Sequence, residues 1–193
     1  MLELWLFKSL MTKITNIVQG WLTTARWVPS PNFNARPENT CISLLVIHNI
    51  SLPPGQFGST YIESFFQNQL DTEAHPYFAT IADSQVSSHF LITRDGEQVQ
   101  FVSLSHRAWH AGKSAYDGIE NCNDFSIGIE LEGTDTIPYT DQQYLSLADL
   151  TRTLLMAFPD MAPDRIVGHS DIAPERKTDP GQAFDWRRYR TLL

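Results

Sequence analysis

The chain predicts a single α/β domain built on a mixed β-sheet flanked by helices. Three observations carry that expectation. Short apolar runs that read as strands alternate with helical patterns, and two runs are joined by an Asp-Gly turn as an antiparallel hairpin. No repeat, low-complexity tract or Pro/Gly-rich linker divides the 193 residues, a length that can bury a substantial core.

The opening MLELWLFKSLMTKITNIVQGWL contains a short apolar stretch interrupted by Glu3, Lys8 and Lys13. No cleavage pattern follows it and nothing approaches a membrane span. Residues 1–20 are read as an N-terminal extension, with Met11 an alternative start to Met1, and the folded domain as 21–193. The chain is expected to be cytoplasmic. Cys41 and Cys122 are too few for a disulfide scaffold and are read as two reduced, buried thiols.

Residues 43–47 (SLLVI) read as a buried strand that presents His48 and Asn49 at its tip. SLPPGQFGS is a loop by its Pro and Gly content. Thr60 and Glu63 have capping-box spacing, predicting a helix through about Gln69. Residues 71–85 read as loop with helical turns. HFLIT and EQVQFVS form the hairpin around Asp95-Gly96, a pair suited to positive φ. Residues 105–124 read as a long surface loop, the kind that often carries function.

FSIGIELEG alternates, placing Phe125, Ile127, Ile129 and Leu131 on one face and Ser126, Gly128 and Glu130 on the other. The strongest helix runs from Thr140 to Phe158, opened by Thr140 and Gln143 and stopped by Pro159. RIVGH is a last strand, followed by the loop SDIAPERKTDPG.

Composition bounds the function. With 42% hydrophobic and 19% charged residues this is an ordinary globular chain, and a formal charge of -8 argues against nucleic acid or an anionic membrane as partner. His48 ends one strand, His169 ends another, and Asp179 follows in a Pro-rich loop. Two imidazoles and a carboxylate would leave a fourth position open on a catalytic zinc. The His-x9-Asp spacing is not diagnostic by itself, since a lone histidine is more often structural. Glu130 is either solvated or aimed into a cleft, and Lys177 is either a surface charge or a counterion. Beside a metal, such a pair could move a proton and stabilise an oxyanion.

Five segments, VIHNISLPPGQFG, VSSHFLITRDGEQVQFV, RAWHAG, NDFSIGIELEGTD and GHSDIAPERKTDPGQAFDW, resemble the 1,6-anhydro-N-acetylmuramoyl-L-alanine amidases of bacterial cell-wall recycling. These belong with the zinc peptidoglycan amidases and peptidoglycan recognition proteins. The resemblance runs from about Trp21 to Trp186 and implies the peptidoglycan-recognition-like fold and one Zn2+ per chain. It implies His48, His169 and Asp179 as metal ligands, Glu130 as general base or proton shuttle, and Lys177 as the cation facing the tetrahedral intermediate. It also implies substrate contacts at Asn49, Trp109, His110, Ala111 and Gly112, with His110 the foremost.

The implied activity is hydrolysis of the muramic acid–L-alanine amide in a small-molecule muropeptide, by a monomer, without nucleic acid or membrane. Two positions depart from the family pattern. Gln85 and Asn121 stand where arginines suited to ligand carboxylates are expected, with Arg107 or Lys113 as possible substitutes. His89 is expected to be structural or to support a ligand, and Asp171 to stabilise its loop. Two other functions compete: a recognition module that no longer cuts, which would lack a metal ligand, and a periplasmic amidase, which would need an export signal.

Overall fold

The computed structural model describes residues 16–193. The readings of residues 1–15 lie outside the described residues. Residues 16–20 are packed onto the domain, so a boundary at residue 20 falls inside a small hairpin, Ile17–Val18 against Trp21–Leu22. Gln100 clamps it: Leu22 N–H donates to Gln100 Oε1 (2.7 Å), and Gln100 Nε2 donates to the Gly20 carbonyl (2.9 Å).

The central sheet has six strands: β1 (Arg26–Trp27), β2 (Leu44–Ile50), β3 (Phe90–Ile92), β4 (Gln98–Gln100), β5 (Ser126–Glu132) and β6 (Ile166–Gly168). Their order is β6-β2-β5-β3-β4-β1. β6, β2, β5 and β3 run parallel, β4 turns back antiparallel to β3 through Gly96 at φ 88°, and β1 lies parallel to β4. The sheet is therefore mixed, as expected.

Among the described residues five helices surround it: α1 (Tyr61–Phe66), α2 (Pro76–Ala79), α3 (Asp141–Ala157), α4 (His169–Ile172) and α5 (Trp186–Thr191). α3 has the predicted capping box, with Gln143 N–H donating to Thr140 Oγ1 and Thr140 N–H to Gln143 Oε1, each at 3.1 Å. The box predicted at Thr60 does not form. Glu63 is drawn off to Arg26, whose guanidinium reaches both its oxygens at 2.7 and 3.0 Å, and α1 ends early.

One sheet face packs Leu45, Ile47, Ile127, Ile129 and Leu131 against Leu147, Leu150 and Leu154 of α3 and Tyr189 of α5. The other packs Leu44, Val46 and Val167 under Ala111, Cys122 and Ile172. Phe125 joins this second cluster, against the sequence expectation, because it precedes β5. Residues 105–124 are also more ordered than a surface loop. His106–Ala108 pairs with Phe33–Ala35, and Ala115–Tyr116 with Ile119–Glu120. Cys122 is buried but Cys41 is exposed, correcting the reading of two buried thiols; neither forms a disulfide.

Candidate active site

The sheet register assembles the centre. Glu130 of β5 pairs directly with His48 of β2, and Gly168 of β6 pairs with Ile47. His169 therefore stands next in the row beside His48, opening α4 rather than ending the strand as predicted. All three emerge near the carboxyl ends of parallel strands, where α/β sheets place their ligands.

Asp179 is brought in by the loop after α4. Its carbonyl accepts from Ser170 N–H at 3.0 Å, and the next carbonyl, of Pro180, accepts from Tyr139 Oη at 2.8 Å and Asn49 Nδ2 at 3.1 Å. Position 168 must be glycine here, because a Cβ would lie 2.8 Å from the Pro180 ring.

Three atoms converge. His48 Nδ1 lies 2.9 Å from His169 Nδ1 and 3.1 Å from Asp179 Oδ2, and His169 Nδ1 lies 3.0 Å from the same Oδ2. Both histidines are buried, and the three residues form a group that could hold a metal ion. Ligand atoms on a tetrahedral centre with bonds of ~2.1 Å sit roughly 3.4 Å apart, so only small side-chain adjustments separate this triangle from a ligand set.

The protonation states also fit. Burial pushes His48 down to about 4, keeping the imidazole neutral. Burial pushes Asp179 upward, but its close contacts with His169 and His48 outweigh it and hold the carboxylate ionised, well below its ordinary range. A neutral His48 imidazole and an ionised Asp179 carboxylate are forms that a metal requires of its ligands.

The remaining nitrogen of each imidazole is engaged. His169 Nε2 lies 3.1 Å from the Ala111 carbonyl, and His48 Nε2 lies 2.9 Å from His110 Nδ1. His110 and Ala111, expected as substrate contacts, are here in contact with the two candidate ligand imidazoles. Both are buried behind the candidate metal ligands, and His110 Nε2 is also occupied, 3.1 Å from Ser126 Oγ.

Of the same stretch, Trp109 is half-buried, its indole donating to Asn34 Oδ1 at 3.0 Å, and Gly112 is exposed. Asn49 is half-buried, and its amide donates to Asp135 Oδ1 at 2.8 Å as well as to Pro180, which makes it a brace for the Asp179 loop.

Glu130 is 9% exposed, and its Oε2 is buried with no hydrogen-bond partner. Burial, and then the charge of Asp179, push its pKa well above the ordinary carboxylate range, while Lys177 pulls the other way. Glu130 is thus not solvated, the first of the two alternatives read for it. Lys177 and Asp179 line an open cleft of about 540 Å³ together with Asn49, Ser51, Thr134 and Asp135.

Other predicted residues sit elsewhere. Gln85 and Asn121 are exposed in two separate hollows. Arg107 is committed to Asp124 and Asn34, so it does not substitute as a free cation, while Lys113 is exposed. His89 is structural, accepting from Gly128 N–H at 3.1 Å, and Asp171 accepts from Gly168 N–H at 2.7 Å, both as expected. Arg36 escaped sequence reading: it spans from the N-terminal segment to the carbonyls of Asn123, Asp124 and Ser126. No local spacing announces it.

A family model for N-acetylmuramoyl-L-alanine amidases matches residues 37–182. The 1,6-anhydro-N-acetylmuramyl-L-alanine amidase AmpD of Escherichia coli (strain K12) is 59% identical over 175 residues, covering 91% of this chain and 95% of that one. The protein of the same name from Haemophilus influenzae is 55% identical over 179 residues, covering 93% and 97%. A crystal structure of a selenomethionine AmpD derivative superposes with a TM-score of 0.89 at 58% identity, covering 92% of this chain and 98% of that chain. A complex of the amidase AmiD from E. coli with anhydro-N-acetylmuramic acid-L-Ala-D-γ-Glu-L-Lys superposes with a TM-score of 0.58 at 29% identity, covering 82% and 61%. The match spans most of the chain at high identity, and the chain belongs to the N-acetylmuramoyl-L-alanine amidase family of hydrolases.

Proposed function

We propose that this enzyme hydrolyses the amide between (1,6-anhydro-)N-acetylmuramic acid and L-alanine in muropeptides released during peptidoglycan recycling, using one zinc ion held by His48, His169 and Asp179. The observation that carries the mechanism is the buried, unpartnered carboxylate of Glu130 beside that triangle. High identity to AmpD amidases, and the muropeptide bound by the AmiD relative, support the substrate class.

A bound zinc supplies Lewis acidity at neutral pH. Glu130 takes the proton of the attacking water at its free oxygen and returns it to the departing alanine amine. Its raised proton affinity suits both halves of that transfer. Lys177, on the cleft beside Asp179, opposes the negative charge that develops on the lactyl carbonyl oxygen. Asn49 and Tyr139 hold the Pro180 carbonyl, and with it the Asp179 loop.

We place the reaction in the cytoplasm. An exposed, free Cys41 suits a reducing compartment, and a hydrogen bond to Asp160, then that residue's charge, raises the thiol pKa and quiets it. No helix among the described residues is long and apolar enough to cross a membrane. Cell fractionation at native expression tests the assignment, and recovery outside the cytoplasm would reverse it.

The substrate reading is tested by incubating pure protein with anhydro-muramyl and ordinary muramyl peptides, with and without a chelator. Faster, chelator-sensitive release of the alanine-terminated peptide from the anhydro form is expected. Equal rates on both would remove the recycling assignment, and cleavage that survives chelation would remove the zinc mechanism.

A further inference from the structure

His110 lies outside the ligand triangle, and the hydrogen bonds behind it have a definite direction. The sequence starts from a group that can only accept. The Cys122 carbonyl lies 2.5 Å from Ser126 Oγ, so the hydroxyl proton must point at it. Ser126 Oγ then has only lone pairs for its second contact, and His110 Nε2, at 3.1 Å, must be the protonated nitrogen. A neutral ring protonated at Nε2 has a bare Nδ1, and that atom faces His48 Nε2 at 2.9 Å. His48 is thereby required to carry its proton on Nε2, which leaves its Nδ1 lone pair for the metal.

The ring that transmits this order is locked sterically. It is buried, and a Cβ at residue 128 would come within 2.5 Å of its Cγ, so only glycine admits it. Its backbone is pinned as well: the N–H groups of His110 and Ala111 both donate to Asn123 Oδ1, at 3.1 and 2.8 Å. One short stretch thus addresses both ligand imidazoles, His48 through the His110 ring and His169 through the Ala111 carbonyl.

We propose that His110 is a positioning residue that fixes His48 in its Nε2–H tautomer, its own tautomer being set by the Ser126 hydroxyl and the Cys122 carbonyl. The inference rests on the metal reading above. Partners of this kind are worth about 10–100-fold in metal affinity.

The test measures zinc affinity by competition with a chromophoric chelator, together with the tautomers of His48 and His110 from long-range proton–nitrogen-15 correlation spectra. In the wild-type protein, His110 is expected to carry its proton on Nε2, whether or not zinc is present. His110→Phe keeps the ring but removes both nitrogens; it should bind zinc about 10–100-fold more weakly, and His48 should populate both tautomers without metal. His110→Asn, whose amide oxygen falls near the former Nδ1, should recover most of that loss. Ser126→Ala should release the anchor and give mixed tautomers at His110.

A proton on Nδ1 of His110 in the wild-type protein would overturn the proposal, and that reading needs no variant to fold. So would undiminished zinc affinity in a folded His110→Phe protein. Failure of the wild-type protein to bind zinc at all would overturn the metal reading itself.

Discussion

The two faces of β5 obey different rules. On one, Ile127, Ile129 and Leu131 pack against α3 and α5, where any side chain of suitable volume and apolarity meets the demand. On the other, each residue answers to particular atoms. Ser126 meets Cys122 and His110, Gly128 makes room for the His110 ring, Glu130 stands beside His48, and Glu132 accepts from the N–H groups of Gly58 and Arg94. One seven-residue strand, buried along its whole length, thus carries stability on one side and chemistry on the other. The difference teaches that burial alone does not separate core from site; the number of atoms a residue must satisfy does.

That division can be broken or sharpened by substitution. The largest effect is expected at Glu130: Glu130→Gln should lower turnover by about a thousandfold while retaining zinc, as read by peptide release and metal analysis on the same sample. Near-normal turnover would show that the unpartnered carboxylate is not the proton carrier. On the opposite face, Ile129→Ala should cost about 2–5 kcal/mol in denaturant unfolding, with turnover per folded molecule close to wild type. Loss of turnover without loss of stability would erase the distinction between the faces.

Gly128→Ala should show both signatures in reduced form. It should lose about 1–3 kcal/mol from overpacking and bind metal more weakly, because the added methyl displaces the His110 ring. A smaller and more diagnostic effect concerns pH. Glu130 has a raised pKa in the folded protein, so the native state holds more protons than the unfolded state above the ordinary carboxylate pKa. Stability of the metal-free enzyme should therefore fall as pH rises through that window, and Glu130→Gln should remove the decline. Equal pH slopes in the two proteins would show that the carboxyl is not desolvated. Smallest, and remote from both faces, Thr140→Ala should cost about 1 kcal/mol through loss of its cap and leave catalysis unaltered.

The apolar face was legible in the sequence because its signal is local. The two-residue alternation of β5 and the three- and four-residue steps of α3 each report burial within a short window. The candidate ligands were legible only in part from local pattern, since His48, His169 and Asp179 lie far apart along the chain and no helical period ties them together. Their resemblance to family motifs supplied the rest. What escaped was the layer behind them. His110 reads as a cleft residue because Trp-His-Ala-Gly sits in an irregular stretch; its real partners, Ser126 and the Cys122 carbonyl, become neighbours only after that stretch folds over β5. The failed cap at Thr60 has a similar cause: Glu63 suits the box locally, but Arg26, distant in sequence, competes for it.

The direct pairing of Glu130 with His48 has a consequence for how this protein can change. A parallel ladder works as a ruler. Slipping β5 by one residue would bury Glu130 among Leu147 and Leu150 and turn Ile129 or Leu131 toward the ligands. Slipping it by two would keep the faces but offer His48 a glycine or Glu132, whose oxygens already serve Gly58 and Arg94. Insertions and deletions are therefore tolerable in the connections around the sheet, where length is free to drift. Inside β2 and β5 they would remove the enzyme's activity even when the domain still folded.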